Sequence, residues 1–353
     1  MSHSDAPRTS LEPLFDRGFT IMNQPIARTM GPELVAAVSQ AGGLGVVPAT
    51  DFTPEEIVQF CEAVKARTDQ PFAVALDVNE TPIGLQGVPA LLSELGGLLE
   101  ALHLPTSLEA DHDNRLGLQP TSTYQERFEA ALSTGPMAMI AQYGGFREPE
   151  DDRLMEEGVI NMAFFTSLRE AKVLRSAGCQ VLIAQGAEAS GPRFTFEEVE
   201  PQSIGLMTLV PTVTQVTGLP VVACGGLYCP EQMRALKTLG ACGTMLGTAL
   251  MATAESQADE QHRYWAREGQ MSDTTVASTY HGRPARLLDN AFTGWVWEGE
   301  PVERKAYQRI FAAIEKAARE EGRDDLAVRE MGVAIGRSRF KTVKEAVETL
   351  LVP

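Results

Sequence analysis

The sequence has no long hydrophobic run, and this absence limits where the protein can reside. No run approaches the roughly 20 apolar residues that a membrane-spanning helix needs. Residues 1–9 are polar and lack the apolar core of a signal peptide. We therefore expect a cytoplasmic protein that has no membrane among its partners.

Cysteine is scarce as well. The chain has 5 cysteines among 353 residues, and an odd number in a chain of this length favours reduced thiols over a disulfide framework. Cys224 and Cys229 are close in sequence, but no second pair of cysteines or histidines follows at the spacing of zinc ligands. We predict no metal site, and we interpret Cys224 as a buried small side chain rather than a reactive thiol.

Basic side chains are outnumbered by acidic ones. The 30 lysines and arginines against 47 aspartates and glutamates give a formal net charge of −17. This charge would repel the phosphates of nucleic acids, so we expect no nucleic-acid partner. It does not exclude a small anionic ligand, since one local basic group can hold an anion on an acidic protein.

The chain alternates between short apolar segments and longer amphipathic ones. The apolar segments predict strands at 19–27, 43–49, 71–78, 136–143, 159–165, 181–186, 220–227 and 243–250. Because these segments are continuously apolar, both faces of the sheet should be buried, which is typical of parallel strands. Eight such strands with intervening helices predict an α/β fold, a (β/α)8 TIM barrel, rather than an open doubly wound sheet.

Two segments do not fit the repeat. Residues 79–122 are too long and polar for a plain connection, so we predict an insertion or a lid with a short helix around 88–102. Residues 262–353 are predicted to form a mainly helical segment that packs on a barrel of residues 15–261. The sequence leaves open whether the protein is a monomer or a homo-oligomer.

Glycine pairs mark the ends of the last two predicted barrel strands. Gly225 and Gly226 follow strand seven, and Gly247 with Thr248 ends strand eight. Barrels often bind phosphate with these two loops, where backbone N–H groups and a hydroxyl can face an anion. We predict a ligand that carries a phosphate; the alternative is that the glycines only form tight turns.

The stretch "VLIAQGAEASGPRF", residues 181–194, ends an apolar strand in an amide and continues with small residues. Gln185 can donate and accept hydrogen bonds at once, which suits the edge of a heteroaromatic ring. The alternative is an amide that neighbouring groups already satisfy. The small residues after Gln185 let the backbone approach a ligand closely.

Five segments together resemble a known family. They follow one another as in the nitronate monooxygenases, between residues 19 and 295: "PIARTMGPELVAAVSQAGGLGVV", "SLREAKVLRSAGCQVLIAQGAEASG", "PVVACGGL", "GTMLGTAL" and "GRPAR". This resemblance implies a barrel that binds FMN and oxidises alkyl nitronates with dioxygen. The cofactor-binding residues that it implies are Pro25, Ile26, Ala27, Gln185, Ser190, Gly191, Gly225, Gly226, Gly247 and Thr248.

The sequence departs from the family at two positions. The typical motif E-A-G-G-H ends in a histidine that serves as catalytic base or substrate partner, whereas residues 188–192 read E-A-S-G-P. Pro192 has no acid–base function, so the role of the histidine is vacant. Ala75 stands where the family often has an asparagine near the flavin. The flavin scaffold is therefore kept, while part of the usual catalytic signature is missing.

Three residues are candidates for the missing catalytic group. They are His281 before "GRPAR", Glu188 in the loop after strand six, and Tyr143 at the end of strand four. Each has a plainer interpretation, which is respectively a surface histidine, a carboxylate that braces its loop, and a core side chain. Arg193 could hold an anionic substrate or be solvated.

These observations leave several functions open. The first is the FMN-dependent oxidation, by dioxygen, of a small carbanionic substrate such as an alkyl nitronate. A nitronate has already lost the proton on its carbon, so this reaction needs no catalytic base. The second is NAD(P)H-dependent flavin reduction of an enone, enoyl thioester or quinone. The others are a non-catalytic flavin-binding protein and a barrel that holds a sugar phosphate or nucleotide in place of FMN.

Overall fold

The computed structural model describes residues 10–15, 18–79, 83–119, 122–196 and 203–351. The polar tail at residues 1–9 lies outside the described residues. The strands are β1 (Thr20–Asn23), β2 (Gly45–Pro48), β3 (Phe72–Asp77), β4 (Ala138–Gln142), β5 (Ile160–Phe165), β6 (Val181–Gln185), β7 (Gly191–Pro192), β8 (Val221–Cys224), β9 (Ala241–Leu246), β10 (Thr274–Ala277) and β11 (Ala285–Leu288).

Eight of these strands form one parallel sheet in the order β1-β9-β8-β6-β5-β4-β3-β2. A parallel bridge between Met22 and Leu44 connects the two end strands, so the sheet is nearly closed. The prediction of a (β/α)8 barrel is thus confirmed. Apolar side chains such as Met162, Phe164 and Met245 fill the barrel interior, and a larger apolar layer lies between the strands and the outer helices.

The helices of the described chain pack around the barrel or belong to the insertion and the C-terminal segment. They are α1 (Glu12–Phe15), α2 (Pro32–Gln40), α3 (Pro54–Lys65), α4 (Val88–Glu94), α5 (Gly96–Ala101), α6 (Tyr124–Ser133), α7 (Glu148–Glu156), α8 (Leu168–Ser176), α9 (Leu206–Thr217), α10 (Pro230–Thr238), α11 (Glu260–Glu268), α12 (Arg304–Glu320) and α13 (Val343–Leu350). Short 3-10 helices lie at Thr248–Leu250, Met271–Asp273 and Asp324–Leu326.

The first and last barrel strands are shorter than predicted. β1 ends at Asn23, although the sequence pattern predicts a strand that continues to residue 27. Pro25 has no N–H group for the ladder, and the chain turns there, with the N–H of Ile26 donating to the carbonyl of Gln24 over 2.9 Å. β9 ends at Leu246, and a 3-10 helix follows. In both places an apolar sequence continues past the strand onto the barrel mouth.

The insertion packs against the C-terminal segment. Leucines of α4 and α5, among them Leu91 and Leu99, share an apolar cluster with Ile310 and Phe311 of α12. The prediction of one helix around 88–102 corresponds to α4 and α5. This cluster holds α12, and with it Arg304 at the first position of the helix, above the barrel.

The C-terminal segment contains a small sheet that the helical prediction omits. β10 pairs with β11, and β11 pairs with β7, both antiparallel. Ala285 lies opposite Pro192 in this pairing. The "GRPAR" motif thereby fastens the loop after β6 to the C-terminal segment. At the other end, Val343 and Val347 of α13 join the main core beside residues of α2.

Candidate active site

A cavity opens at the carboxyl ends of the barrel strands. It is open to solvent and is lined by both apolar and polar side chains, as small-molecule and cofactor sites are. Residues that follow strands line one side, and residues of the C-terminal segment line the other. The lining includes Gln24, Pro25, Ile26, Ala27, Arg28, Thr50, Asp51, Asp77, Gln142, Tyr143, Pro192, Phe194, His281, Arg304 and Glu330.

Residues 25–27 form an apolar part of the lining. Pro25 and Ile26 are buried, and Ala27 is exposed. The chain presents this strip because it leaves the barrel directly after β1. A flat apolar strip suits the face of an aromatic ring, so the placement agrees with the contact to a flavin ring, which itself stays a prediction.

Two buried polar side chains join the loops after β1 and β6. Gln24 Nε2 donates to the carbonyl of Ser190 over 3.0 Å, and Ser190 Oγ donates to Gln24 Oε1 over 2.9 Å. A Cβ atom at Gly247 would lie 2.4 Å from Gln24 Oε1. Ser190 and Gly247 thus fix the position of Gln24, whose amide the sequence analysis did not single out.

Gln185 is fully buried and braces its own loop. Its Nε2 donates to the carbonyl of Pro192, and its Oε1 accepts from the N–H of Phe194, each over 2.9 Å. Arg193 is buried and donates to the carbonyls of Gln185 and Gly186. Arg193 is therefore not solvated. A bond from Gln185 to a flavin would use the second hydrogen of Nε2 and stays a prediction.

Glu188 lies outside the cavity lining. Its carboxylate accepts from the N–H of Leu206 over 3.1 and 3.4 Å, at the first residue of α9. An anion at a helix N-terminus satisfies free N–H groups and the helix dipole. This placement favours the interpretation of Glu188 as a brace, and its catalytic role stays untested.

The loop after β8 has two glycines in conformations that only glycine adopts freely. Gly225 has φ +134° and Gly226 has φ +67°. A Cβ at Gly225 would lie 2.8 Å from the backbone nitrogen of Ala189, so close packing also requires glycine. Within the described ranges, the N–H groups of Gly225, Gly226 and Gly247 donate to no acceptor of the protein. Adjacent free N–H groups form an anion-binding concavity.

The remaining phosphate candidates are Thr248 and Gly191, which, like the glycines at 225, 226 and 247, are not among the residues that line the cavity. Thr248 Oγ1 accepts a hydrogen bond from the N–H of Gly332 over 2.9 Å. Its hydroxyl hydrogen remains available as a donor to a phosphate. Gly191 has φ +74° and is the first residue of β7. The binding of a phosphate by these groups stays a prediction.

Tyr143 lies in the cavity wall between two arginines. The guanidinium carbons of Arg283 and Arg304 each lie 4.4 Å from the ring centre, a distance at which cation–π attraction is effective. Arg304 Nη2 lies 3.0 Å from Asp77 Oδ2, and both side chains are nearly buried. Burial raises the pKa of Tyr143 although the arginines oppose the shift, so its hydroxyl stays protonated at neutral pH.

His281 and Glu330 lie side by side in the lining. His281 Nε2 is 3.4 Å from Glu330 Oε1, and the side chains are only 18% and 20% exposed, respectively. His281 Nε2 is buried and has no hydrogen-bond partner in the part of the chain that the structure describes. Burial, aided by nearby arginines, lowers the pKa of His281 to about 3. Burial also raises the pKa of Glu330 to about 7.

Gln142 supplies a second amide to the cavity. It ends β4, and its Oε1 accepts from Thr50 Oγ1 over 2.6 Å. Its Nε2 is buried without a hydrogen-bond partner among the described residues. Ala75 on the neighbouring strand β3 has no polar side chain and pairs with Ile140, so Gln142, two residues further along β4, supplies the amide on this side of the cavity. The sequence contains a signal for Gln142, because the strand "AMIAQ" ends in an amide as the strand "VLIAQ" does.

The comparisons with known proteins agree with this geometry. A model of the family "Nitronate monooxygenase" matches residues 9–352. The chain belongs to the nitronate monooxygenase family. A probable nitronate monooxygenase of Staphylococcus saprophyticus is 30% identical over 80% of this chain and 79% of its own length. One from Staphylococcus aureus strain JH9 is 26% identical over 87% of this chain and 86% of its own length.

Solved structures give the same result. A nitroalkane oxidase from Streptomyces ansochromogenes superposes with a TM-score of 0.81 at 27% identity and covers 96% of both chains. FabK from Thermotoga maritima superposes with a TM-score of 0.69 at 22% identity over 98% of this chain and 95% of its own, which shows a shared fold. As a nitronate monooxygenase family member, the chain is an oxidoreductase of a flavoprotein family.

The structure brings together only part of the predicted site. Of the predicted catalytic residues, His281 and Tyr143 line one cavity, and Glu188 does not. Gln24, Gln142, Arg304 and Glu330 were not predicted. Groups of three or more histidine, cysteine or carboxylate side chains that could hold a metal are absent from the described residues. None of the helices that the structure describes is long and apolar enough to span a membrane.

The five cysteines should differ in reactivity. Cys224 is fully buried, and burial raises the pKa of its thiol to about 12, whereas Cys229 is partly exposed. Since the thiolate is the nucleophile, we expect brief alkylation at about pH 8 to modify Cys229 first and to leave Cys224 intact until unfolding. Peptide mass spectrometry measures this, with Cys229→Ser as control. Equal labelling of the two residues would contradict the interpretation of Cys224 as inert.

Proposed function

We propose that this protein is an FMN-dependent oxidoreductase that oxidises a small alkyl nitronate with dioxygen. The observation that supports this proposal most is the cavity at the barrel mouth. It combines the apolar strip of residues 25–27 with hydrogen-bond donors that have no partner in the described chain. The membership of the nitronate monooxygenase family supports this choice of reaction.

The residues present fit FMN. Gln142 Nε2 is an unpartnered buried donor in the lining, as an acceptor on a flavin ring would require. The free N–H groups of Gly225, Gly226 and Gly247 would hold the phosphate. Pro25 and Ile26 would contact the ring face. Bound FMN supplies the transfer of electrons from the substrate to dioxygen.

The side chains of the lining suit an anionic substrate. Arg28 and Arg304 lie in the lining. Each is paired with a carboxylate, Glu315 and Asp77 respectively, so a nitronate would meet the guanidinium N–H groups that these pairs leave free. His281 is neutral at neutral pH because its pKa is lowered, so it can donate one hydrogen bond to a nitronate oxygen without exchanging a proton. Tyr143 is held in place by its two arginines. A nitronate needs no base, which agrees with proline at position 192.

The test is turnover by protein that has been loaded with FMN. The released chromophore is first identified by mass. We then expect dioxygen uptake with the nitronate of a small nitroalkane, and slow bleaching of the flavin by NADH without oxygen. Rapid bleaching by NADH would favour the reductase instead. Bound FMN without any turnover would favour a non-catalytic protein, and no FMN binding would favour another phosphate ligand.

Gln142→Leu tests the ring contact. Since this change removes the unpartnered amide donor from the lining, we expect the Kd of FMN to rise about tenfold, which corresponds to the value of one hydrogen bond. Flavin fluorescence titration measures the Kd. Gln125→Leu, the same change at an exposed glutamine of α6 outside the lining, is the matched control and should leave the Kd unchanged. An unchanged Kd in Gln142→Leu would show that the amide does not contact FMN.

A further inference from the structure

We propose that Glu330 is a catalytic base in this cavity, which takes the proton from the carbon of a neutral nitroalkane and so produces the nitronate inside the site. This inference rests on the proposed function, since the nitronate is the species that is then oxidised. It assigns the vacant role at Pro192 to a residue of the C-terminal segment. The similarity to a nitroalkane oxidase in overall structure does not identify such a residue.

The backbone that directly follows Glu330 is fastened to two barrel loops. The N–H of Gly332 donates to Thr248 Oγ1 over 2.9 Å, and the N–H of Val333 donates to the carbonyl of Glu188 over 3.1 Å. The carboxylate of Glu330 extends from this anchored segment into the lining. Its position is therefore set by the barrel and does not depend on a free loop.

The carboxylate lies directly over Gly191. A Cβ atom added there would be 3.0 Å from Glu330 Oε2, and the next residue is Pro192, which also lines the cavity. The acid group thus reaches the loop position beside Pro192, where the resemblance to the family implies a histidine. A residue with a side chain at position 191 would push the carboxylate away.

The other carboxylates near the cavity are less suited to this role. Asp77 is paired with Arg304, Glu188 caps α9, and Asp51 is exposed. Glu330 accepts no hydrogen bond from the described residues. Burial makes its ionised form unfavourable and so keeps its pKa near neutrality, the range in which a carboxylate base is effective.

The charged and titratable groups around this pair come from several elements. Arg28, Asp51, Glu315 and His281 face Glu330, while Arg28, Arg283 and Arg304 act on His281. The arginines oppose protonation of His281, so the imidazole stays neutral. His281 is a positioning residue, since its Nε2 lies 3.4 Å from Oε1 and limits where the carboxylate can point.

The proton transfer balances without a further reactant. The carboxylate of Glu330 forms an O–H bond with the proton of the carbon that bears the nitro group. The electron pair of the broken C–H bond moves onto the nitro group, which becomes the nitronate. The negative charge passes from Glu330 to the nitronate beside Arg28 and Arg304, and Glu330 later releases its proton to water. Dioxygen is the oxidant of the following step.

The experiment compares nitroethane with its preformed nitronate in FMN-loaded protein. In Glu330→Gln we expect kcat/KM for nitroethane to fall at least about 100-fold, the usual scale of a lost general base, while kcat/KM for the nitronate changes by less than about threefold. Glu156→Gln changes an exposed carboxylate of α7 outside the cavity lining, so this control should keep the ratio of the two substrates. His281→Asn should move the pH midpoint of nitroethane turnover, whereas it should change nitronate turnover by the same factor at every pH, because only the first reaction needs the carboxylate of Glu330.

A second readout does not depend on oxidation. With the flavin reduced beforehand and oxygen absent, wild-type protein in heavy water should exchange the α-protons of nitroethane faster than buffer does, as NMR detects. Glu330→Gln should exchange them at the buffer rate. The assignment of Glu330 would be overturned if Glu330→Gln lowered kcat/KM equally for nitroethane and its nitronate. It would also be overturned if this variant exchanged the α-protons of nitroethane as fast as wild-type protein. Failure of wild-type protein to oxidise the nitronate, with exchange intact, would instead refute the proposed function.

Discussion

Asp77→Ala should lower the free energy of unfolding by about 3–5 kcal/mol, the usual cost of removing one partner of a buried ion pair. Asp77 Oδ2 lies 3.0 Å from Arg304 Nη2, and the side chains are 8% and 10% exposed. Without the carboxylate, the guanidinium of Arg304 would remain against Tyr143, whose ring also contacts Arg283. Two neighbouring cations would then share a poorly hydrated site. Urea unfolding at neutral pH measures the loss.

Two controls separate the buried charge from other effects. Glu62→Ala breaks an exposed pair with Lys65 of equal length, 3.0 Å, and should cost less than about 1 kcal/mol. The double variant Asp77→Ala with Arg304→Met should recover part of the loss, because no unpaired charge remains. If Asp77→Ala costs no more than Glu62→Ala, water in the cavity solvates Arg304 and the pair does not stabilise the fold.

The barrel could be predicted because its signal is local. Each strand is a continuous apolar run that becomes buried on both faces, as β3 and β5 show. The errors occur where apolar character and strand geometry diverge. Residues 25–27 are apolar and line a cavity rather than extend a strand, and Pro25 ends the ladder. A pattern of hydrophobicity cannot distinguish a strand from a cavity wall.

The site could be predicted only in part, because the role of a side chain depends on what folds over it. Gln142 and Gln185 both end an apolar strand. Gln185 is satisfied by the backbone of the loop at 192–194, while Gln142 keeps a free Nε2. No local feature separates them. Glu330 reaches Gly191 only because β11 and the segment after α12 pack on the barrel mouth, and no spacing in the sequence reports this contact.

Glu330→Gln should stabilise the protein above neutral pH and leave its stability unchanged in mild acid. The pKa of Glu330 is raised from its usual 4.5 to about 7. The folded state therefore binds this proton more tightly than the unfolded state, and wild-type protein loses stability as the pH rises from about 4.5 through about 7. Glutamine cannot ionise, so the variant avoids a penalty of about 3 kcal/mol at most.

The measurement is thermal or urea unfolding of both proteins between about pH 5 and pH 8, and the difference should grow with pH. His281→Asn is the matched control, with the opposite dependence. The pKa of His281 is lowered from 6.5 to about 3, so wild-type protein loses stability as the pH falls below 6.5. His281→Asn should therefore become more stable relative to wild type only below that pH. A pH-independent difference for Glu330→Gln would mean that its carboxylate is hydrated. The same burial that destabilises this carboxylate would then no longer explain its suitability as a base, since a hydrated glutamate is too acidic to hold a proton near neutral pH.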